Sequence, residues 1–231
     1  MAAKKVSRKE LLKSPDEFLT FSSRAITFFK DHSTLFSYLG MGIVALVLVY
    51  LGINTFMKYI NQKGQTAYNE AYYALMKNQN SKEGEENLKQ PLELFEKVKN
   101  KYGLSKASRL ATPEMAHLKF RDKKYDEAIS LYQEFLAEIR GQAPYEAMTM
   151  LALAACYEEK GEFNEAIETL EQIKANPDVF FVEQAMLSLA RVYRLSNQPE
   201  KSQETLNEFL EKFQTSPFLP QVKARLQESE S

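Results

Sequence analysis

One stretch of the sequence constrains this chain more than any other. Residues 33–57 read STLFSYLGMGIVALVLVYLGINTFM and contain no side chain that is charged at neutral pH. Because a helix rises about 1.5 Å per residue, a helix over this stretch is longer than the ~30 Å hydrocarbon core of a bilayer. We therefore expect a single transmembrane helix at residues 33–57, which tethers the rest of the chain to a membrane surface.

The charges on either side of this stretch predict its orientation. Seven lysine and arginine residues precede it, whereas Lys58 and Lys63 are the basic residues that follow it closely. Since basic segments stay in the cytoplasm, we expect a cytoplasmic N-terminus and an exported C-terminal part, which in a bacterium is periplasmic. A cleaved signal peptide is the competing interpretation, but the apolar stretch begins too far into the chain, is too long and lacks a small-x-small cleavage pattern after it.

Two segments precede the expected membrane helix. Residues 1–13 are basic and are expected to be disordered. Residues 14–32 are predicted to form an amphipathic juxtamembrane helix, because Ser14-Pro15-Asp16-Glu17 carries the capping residues of a helix start and aromatic residues follow at helical spacing. This helix either lies in the plane of the membrane interface, which is the favoured interpretation, or packs against the cytoplasmic surface of a partner.

The sequence after residue 60 repeats itself. The segments KKYDEAISLYQEFL, GEFNEAIETLEQIK and QPEKSQETLNEFLEKF align so that Tyr125, Phe163 and Pro199 coincide, at offsets of 38 and 36 residues. Apolar residues recur every three or four positions, which indicates helices, and small residues such as Ala154 and Ala190 allow neighbouring helices to approach closely. We therefore expect antiparallel helix pairs that stack into an array.

Glycine, asparagine and proline predict where these helices begin and end. Gly161 and Asn197 are expected at the turns that reverse the chain between paired helices. Asn176-Pro177 is expected to end a second helix, since proline restricts the residue before it and lacks a backbone donor. Thr112-Pro113 and Ala143-Pro144 are expected at helix starts, where the missing N–H of proline is tolerated.

The best copy of the pattern resembles the tetratricopeptide repeat. It consists of a small–aromatic–glycine–aromatic–alanine series, Ala154, Tyr157, Gly161, Phe163 and Ala166. The period exceeds the ~34 residues of that family, and the chain contains no tryptophan. The resemblance implies an all-α fold in which the N-terminal transmembrane helix is followed by a tetratricopeptide-repeat-like α-solenoid of about three to four helix pairs.

The order of the segments resembles one family more closely. The basic head, the single N-terminal span, the alanine- and tyrosine-rich stretch GQTAYNEAYYALMKNQN and the degenerate repeats are similar to the YfgM-type family of ancillary SecYEG translocon subunits. The resemblance implies a single-pass bacterial inner-membrane protein whose partners are the SecYEG translocon, periplasmic chaperones and exported polypeptides. In this layout residues 58–104 form a post-anchor helix and a degenerate first helix pair, residues 105–216 the repeats and residues 217–231 a C-terminal capping helix.

The sequence offers no pattern for catalysis or metal binding. His32 and His117 are far apart and Cys156 is single, so we expect neither a metal site nor an internal disulfide. Cys156 lies in an apolar helical stretch, which favours a buried, unreactive thiol. Residues 58–231 hold 23 basic and 27 acidic residues, which excludes the basic character of nucleic-acid-binding domains. We expect a protein that is not an enzyme and uses no cofactor or small-molecule substrate.

In stacked helical arrays of this kind, the first helix of each pair lines a concave binding surface. Transferring the groove positions of the tetratricopeptide repeat onto this sequence gives Met148, Leu151, Ala155, Glu158, Gln184, Leu187, Arg191 and Arg194. The pair Arg191 and Arg194 favours an extended or partly unfolded peptide that carries acidic residues. The alternative is that Leu151, Ala155 and Leu187 are simply core residues.

Three functions fit these features. The favoured one is a non-enzymatic interaction platform of the translocon and the periplasmic chaperone network, which binds exported polypeptides. The second is an envelope scaffold that organises cell-division or outer-membrane assembly proteins without binding clients. The third is a subunit associated with an enzyme, in which the cytoplasmic head matters and the repeats only dimerise.

Overall fold

Helices are the regular secondary structure of the residues that the structure describes, and short turns connect them. The computed structural model describes residues 17–79, 88–176 and 181–230, so the expected tail at 1–13, the helix start before Glu17 and Pro177 lie outside them. The helices in this part are α1 Glu17–Asp31, α2 Ser33–Gln79, α3 Lys89–Lys101, α4 Lys106–Arg121, α5 Tyr125–Glu138, α6 Ala143–Lys160, α7 Phe163–Lys174, α8 Val182–Leu195, α9 Pro199–Lys212 and α10 Leu219–Glu230. The expected all-α fold is confirmed.

The first compact unit ends at Phe56 and contains α1 and the first part of α2. Phe28 and Phe29 are exposed on α1, and the ring of Phe29 lies 4.5 Å from the ring of Phe36. Among the described residues, Ser33–Lys77 is the one helical segment long and apolar enough to cross a membrane, and its most apolar window is not buried. The helix does not end at the predicted limit of the span, because α2 continues to Gln79.

Residues 57–231 form the second compact unit, in which the helices from α3 onward pack in chain order. α4 pairs with α5, α6 with α7 and α8 with α9, and each pair packs on the next. α10 packs against α9 at the C-terminal end of the array. Each helix thus contacts chiefly its neighbours in the chain, as in a solenoid.

Small residues lie at the helix crossings, as the repeat pattern predicts, with Ala128, Ala154, Ala166 and Ala190 no more than 2% exposed. Larger side chains fill the space around the small residues in separate clusters along the array. The N-terminal cluster consists of Ala71, Leu75, Phe95, Val98, Ala107, Ala111, Met115 and Leu118. The C-terminal cluster consists of Val182, Met186, Leu187, Ala190, Leu206, Phe209 and Val222.

The three helix pairs reverse direction through the same kind of turn. Lys123, Gly161 and Asn197 have positive φ angles of 58°, 78° and 60°. In each turn the backbone N–H of the next residue donates to the carbonyl oxygen five residues earlier, at 2.8 or 2.9 Å. This Schellman arrangement satisfies carbonyl groups left free at a helix end. The turns expected at Gly161 and Asn197 are confirmed, and Lys123 adopts the same left-handed backbone despite its side chain.

Proline marks a helix start in one predicted case and not in the other. α6 begins at Ala143 with proline in its first turn, as predicted. The start expected at Thr112-Pro113 is wrong, because this proline lies inside α4. α4 begins directly after Ser105, whose Oγ accepts a hydrogen bond from the N–H of Ser108 at 3.1 Å. The serine cap, rather than the proline, therefore sets the start of the helix.

The part of α2 that follows the apolar segment approaches the turn between α3 and α4 closely. Asn61 Oδ1 accepts a hydrogen bond from the backbone N–H of Lys106 at 2.8 Å, which satisfies a free donor at the start of α4. Gly64 is buried, and a Cβ atom on it would lie 2.7 Å from Ser105 Cβ and 3.3 Å from Tyr102 Cβ. Position 64 therefore has no room for a side chain.

A partly buried polar contact joins α2 to α4 near the same end of the array. The Tyr68 hydroxyl donates to Glu114 Oε1 at 3.2 Å, and the Tyr68 ring lies edge-on to Phe95 at 5.5 Å between centroids. Burial raises the pKa of the Glu114 carboxyl, and the hydrogen bond from Tyr68 offsets part of that shift. The ionised carboxylate is therefore less favourable in the folded chain than in the unfolded chain.

Replacing Glu114 by glutamine is expected to make the array more stable than the native chain at neutral pH. Because the folded-state pKa of Glu114 lies above its unfolded value, the native chain loses stability as the pH rises through that interval and the carboxyl ionises. Thermal unfolding from about pH 4 to 7 measures the effect: the Tm of the variant should rise relative to the native Tm with increasing pH. Glu93→Gln, at an exposed position on α3, is the control. A Tm difference for Glu114→Gln that stays the same at every pH would contradict the prediction.

Candidate functional site

The predicted groove residues lie on α6 and α8, the first helices of two consecutive pairs. The α6 set is Met148, Leu151, Ala155 and Glu158, and the α8 set is Gln184, Leu187, Arg191 and Arg194. Within each set the residues are three or four positions apart, which places them along one side of their helix. The burial of each side chain then decides which of them a partner can reach.

Exposure differs within the two sets. Met148 is 49% exposed and Arg194 is also exposed, so both side chains are accessible. Leu187 is 9% exposed and belongs to the C-terminal cluster, which favours its interpretation as a core residue. Leu151 and Ala155 are half-buried, and Leu151 packs against the buried residues between α6 and α8. A partner can therefore reach fewer of the predicted groove residues than the pattern suggests, chiefly Met148 and Arg194.

One ion pair joins the two sets. Arg191 Nη2 donates to Glu158 Oε2 at 2.8 Å, and Arg191 Nε lies 2.8 Å from Glu158 Oε1. The Glu158 side chain is 14% exposed and that of Arg191 is 42% exposed, so solvent screens this ion pair in part, and the approach of Nε is not a hydrogen bond. Two turns earlier on α8, Oε1 of Gln184 is buried without a hydrogen-bond donor among the described residues. The two predicted arginines thus differ, since Arg191 is held by a carboxylate of the protein and Arg194 extends into solvent.

A third arginine, Arg225 of α10, lies near Arg191 and Arg194, although the repeat pattern does not single it out. Arg225 Nη1 donates to the backbone carbonyl of Leu187 at 3.3 Å. Burial, followed by the positive charges of Arg191 and Arg194, lowers the pKa of the Arg225 guanidinium. Sequence reasoning treats α10 only as a cap, and no periodicity relates position 225 to α8.

The three arginines surround a pocket at the C-terminal end of the array, which we call the arginine pocket. Its volume is about 90 Å³. Buried Ala190 and Leu206 contribute apolar lining, and Glu228 contributes a carboxylate of the opposite charge to the arginines. The pocket is therefore small, positively charged and partly apolar, which suits an anionic group attached to a carbon chain.

The described residues offer no obvious catalytic or metal centre. They contain no group of three or more histidine, cysteine, aspartate or glutamate side chains that can hold a metal ion. Cys156 is fully buried, and this burial raises the pKa of its thiol to about 12. Because the thiolate is the nucleophile, Cys156 is unreactive at neutral pH.

Solved structures share this fold. Two crystal structures of TPR-like repeats from a putative kinesin light chain of Podosopora anserina match with a TM-score of 0.54 each, at 18% and 19% sequence identity. Each match covers 74% of this chain and 91% of the other chain. At this level of identity the likeness concerns the helical-repeat fold alone.

Family models place the chain more directly. No curated protein matches this sequence. A model described as a tetratricopeptide repeat-like domain matches residues 27–183, which is more than half of the chain, and a tetratricopeptide repeat model matches residues 184–216 directly after it. The chain belongs to the tetratricopeptide repeat-like domain family.

Proposed function

We propose that this protein is a non-enzymatic, single-pass inner-membrane protein whose helical repeats hold protein partners in the periplasm. Its tetratricopeptide-repeat-like domain is of a protein-interaction type. The observation that carries the proposal is the long apolar helix that precedes this domain with its apolar side chains uncovered. A surface of that extent is expected where lipid covers it.

The exposed side chains of α2 support the membrane assignment. Leu46 is 71% exposed and Val47 is 49% exposed, and large apolar residues continue on all sides of the helix. In water each such side chain would forgo about 1.5–3 kcal/mol of burial free energy. The excess of basic residues before the span supports a cytoplasmic N-terminus and an exported array.

The partners that we propose are the SecYEG translocon, periplasmic chaperones and exported polypeptides, following the resemblance to the YfgM-type family. The proposed groove is formed by Met148, Leu151, Ala155, Glu158, Gln184, Leu187, Arg191 and Arg194. Met148 and Arg194 are its accessible contact residues. Anchoring a weak binder beside the exit of the channel raises its effective concentration there without any new contact.

Photocrosslinking in living cells tests this proposal. A photoreactive amino acid replaces Met148 or Arg194, the two accessible groove residues, and the adducts are identified by mass spectrometry. The control replaces Glu211, which is exposed on α9, a second helix of a pair and therefore off the proposed groove. We expect translocon subunits and many different exported proteins at the groove positions and a clear loss of these adducts at position 211.

Two other outcomes would contradict the proposal. A single defined envelope protein at Met148 and Arg194, with no exported polypeptides, would replace it with the scaffold function. Adducts of the same composition and yield at Glu211 would show that the groove has no special role.

A further inference from the structure

Positive charge is concentrated at one end of an otherwise acidic array. Residues 58–231 carry 27 acidic and 23 basic residues. At the arginine pocket this balance is reversed, since three arginines and one glutamate, Glu228, line it. A negatively charged partner therefore meets a locally positive surface at this place.

The two α8 arginines and the α10 arginine have different internal partners. Glu158 holds Arg191 in an ion pair at 2.8 Å, whereas Arg225 donates to a backbone carbonyl, and the charge of Glu228 offsets only part of the repulsion that Arg191 and Arg194 exert on Arg225. Arg194 is exposed, and no carboxylate pairs with it among the side chains that the structure describes. The mutual repulsion of these groups is unfavourable, and an anion bound between Arg194 and Arg225 would offset it.

The shape of the pocket limits what can enter. Its volume of about 90 Å³ admits a small polar group or several water molecules, since a cavity must offer about 10–15 Å³ of such volume to hold one water. Ala190 and Leu206 provide an apolar wall beside the charged groups. A carboxylate carried on one or two methylene groups fits both features, because the methylenes contact the wall and the oxygens reach the guanidinium groups.

We propose that Arg194 and Arg225, with Arg191 positioned by Glu158, bind the carboxylate of an aspartate or glutamate side chain in an extended segment of a partner polypeptide. This inference rests on the proposed function, in which the groove receives polypeptides along their length. Such a chain has many acidic side chains and only one C-terminal carboxylate. Arg225 lies beyond residues 184–216, so the site is completed by a helix outside the matched repeats.

An anionic lipid surface is the other class of partner that arginines attract. The arrangement favours the polypeptide, because a membrane surface is bound by a broad basic face, whereas these arginines line a small pocket in an array of net negative charge. The test therefore includes both partners.

Peptide binding to the full chain in nanodiscs of neutral lipid tests the inference. Three fluorescent peptides of the same apolar and polar background are compared by anisotropy: one with two glutamates and an amidated C-terminus, one with glutamines in their place, and the glutamine peptide with a free C-terminus. Arg194→Gln and Arg225→Gln are each expected to lower the affinity for the glutamate peptide about tenfold and to leave the affinity for the glutamine peptide unchanged. Lys223→Gln, which removes an exposed positive charge from α10 outside the pocket, should have little effect.

Each remaining outcome has a distinct meaning. If glutamate and glutamine peptides bind equally and the arginine variants change neither, the pocket inference is overturned while polypeptide binding stands. If no peptide binds the native chain, the proposed function itself fails. Tighter binding of the peptide with a free C-terminus than of the glutamate peptide would also overturn the pocket inference. So would binding of anionic vesicles that the same arginine variants abolish. Arg194→Gln changes an exposed side chain, so this variant remains informative if Arg225→Gln fails to fold.

Discussion

Replacing Phe209 by alanine is expected to lower the free energy of unfolding by about 3–5 kcal/mol. Phe209 is 0% exposed and lies in the C-terminal cluster, where it contacts residues of α8, α9 and α10. Truncation removes most of its buried apolar surface and leaves a cavity that helices on three sides cannot fill completely. Because Leu206 and Ala190 of the same cluster line the arginine pocket, the variant should also weaken binding there.

The loss is expected to be local. In an array whose helices contact chiefly their chain neighbours, stability is close to a sum of terms for each repeat and each interface. Hydrogen exchange followed by mass spectrometry should therefore show faster exchange in α8–α10 and little change in α3–α5. Phe95→Ala is the matched control, since Phe95 is also 0% exposed but lies in the N-terminal cluster, and it should give the opposite pattern. Equal acceleration in all helices by either variant would show that the array unfolds as one unit.

Replacing Gly64 by alanine should destabilise the chain by about 1–3 kcal/mol, although alanine is the better helix former. The new Cβ atom would lie 2.7 Å from Ser105 Cβ, which is closer than carbon atoms approach without displacement. α2 and the turn before α4 would have to move apart, and this would also stretch the 2.8 Å hydrogen bond from Lys106 N–H to Asn61 Oδ1.

A second substitution separates this steric effect from others. Ser105→Gly removes the atoms that Gly64→Ala meets, and glycine at a helix N-cap costs only a few tenths of a kcal/mol relative to serine. In urea unfolding, the double variant should therefore regain most of the stability that Gly64→Ala loses. Gln62→Ala, two residues earlier at an exposed position of α2, is the control and should be close to neutral. If the double variant instead loses as much stability as the two single variants added together, close packing at Gly64 is not the cause of the Gly64→Ala loss.

The repeat pattern predicts the array because its signals are local. Ala154 and Ala190 recur at the spacing of the repeat and are both buried, and Gly161 and Asn197 adopt the left-handed backbone conformation at helix ends. The start of α4 is mispredicted for the opposite reason. It depends on Ser105 and on Asn61, which is 45 positions away from Lys106 and reaches it only through tertiary packing.

The candidate site shows the same division. The positions on α6 and α8 follow from the repeat, but their pairing does not, because Glu158 and Arg191 meet across two helices separated by α7. Arg225 has no counterpart in the repeat, and its place beside Arg191 and Arg194 depends on how α10 packs at the end of the array. The contacts between charged residues that are far apart in the sequence are therefore the part of the site that the repeat pattern does not predict.

The chain-order packing of the helices also has a consequence for biosynthesis. A growing array needs only the preceding helices in order to add the next one, so its N-terminal pairs can fold while the C-terminal part is still being made. The arginine pocket needs α8, α9 and α10 together, and Arg225 is the last of its arginines to be synthesised. The site that we propose for an acidic segment would therefore form only once α10 has packed on the array, after α8 and α9 are in place.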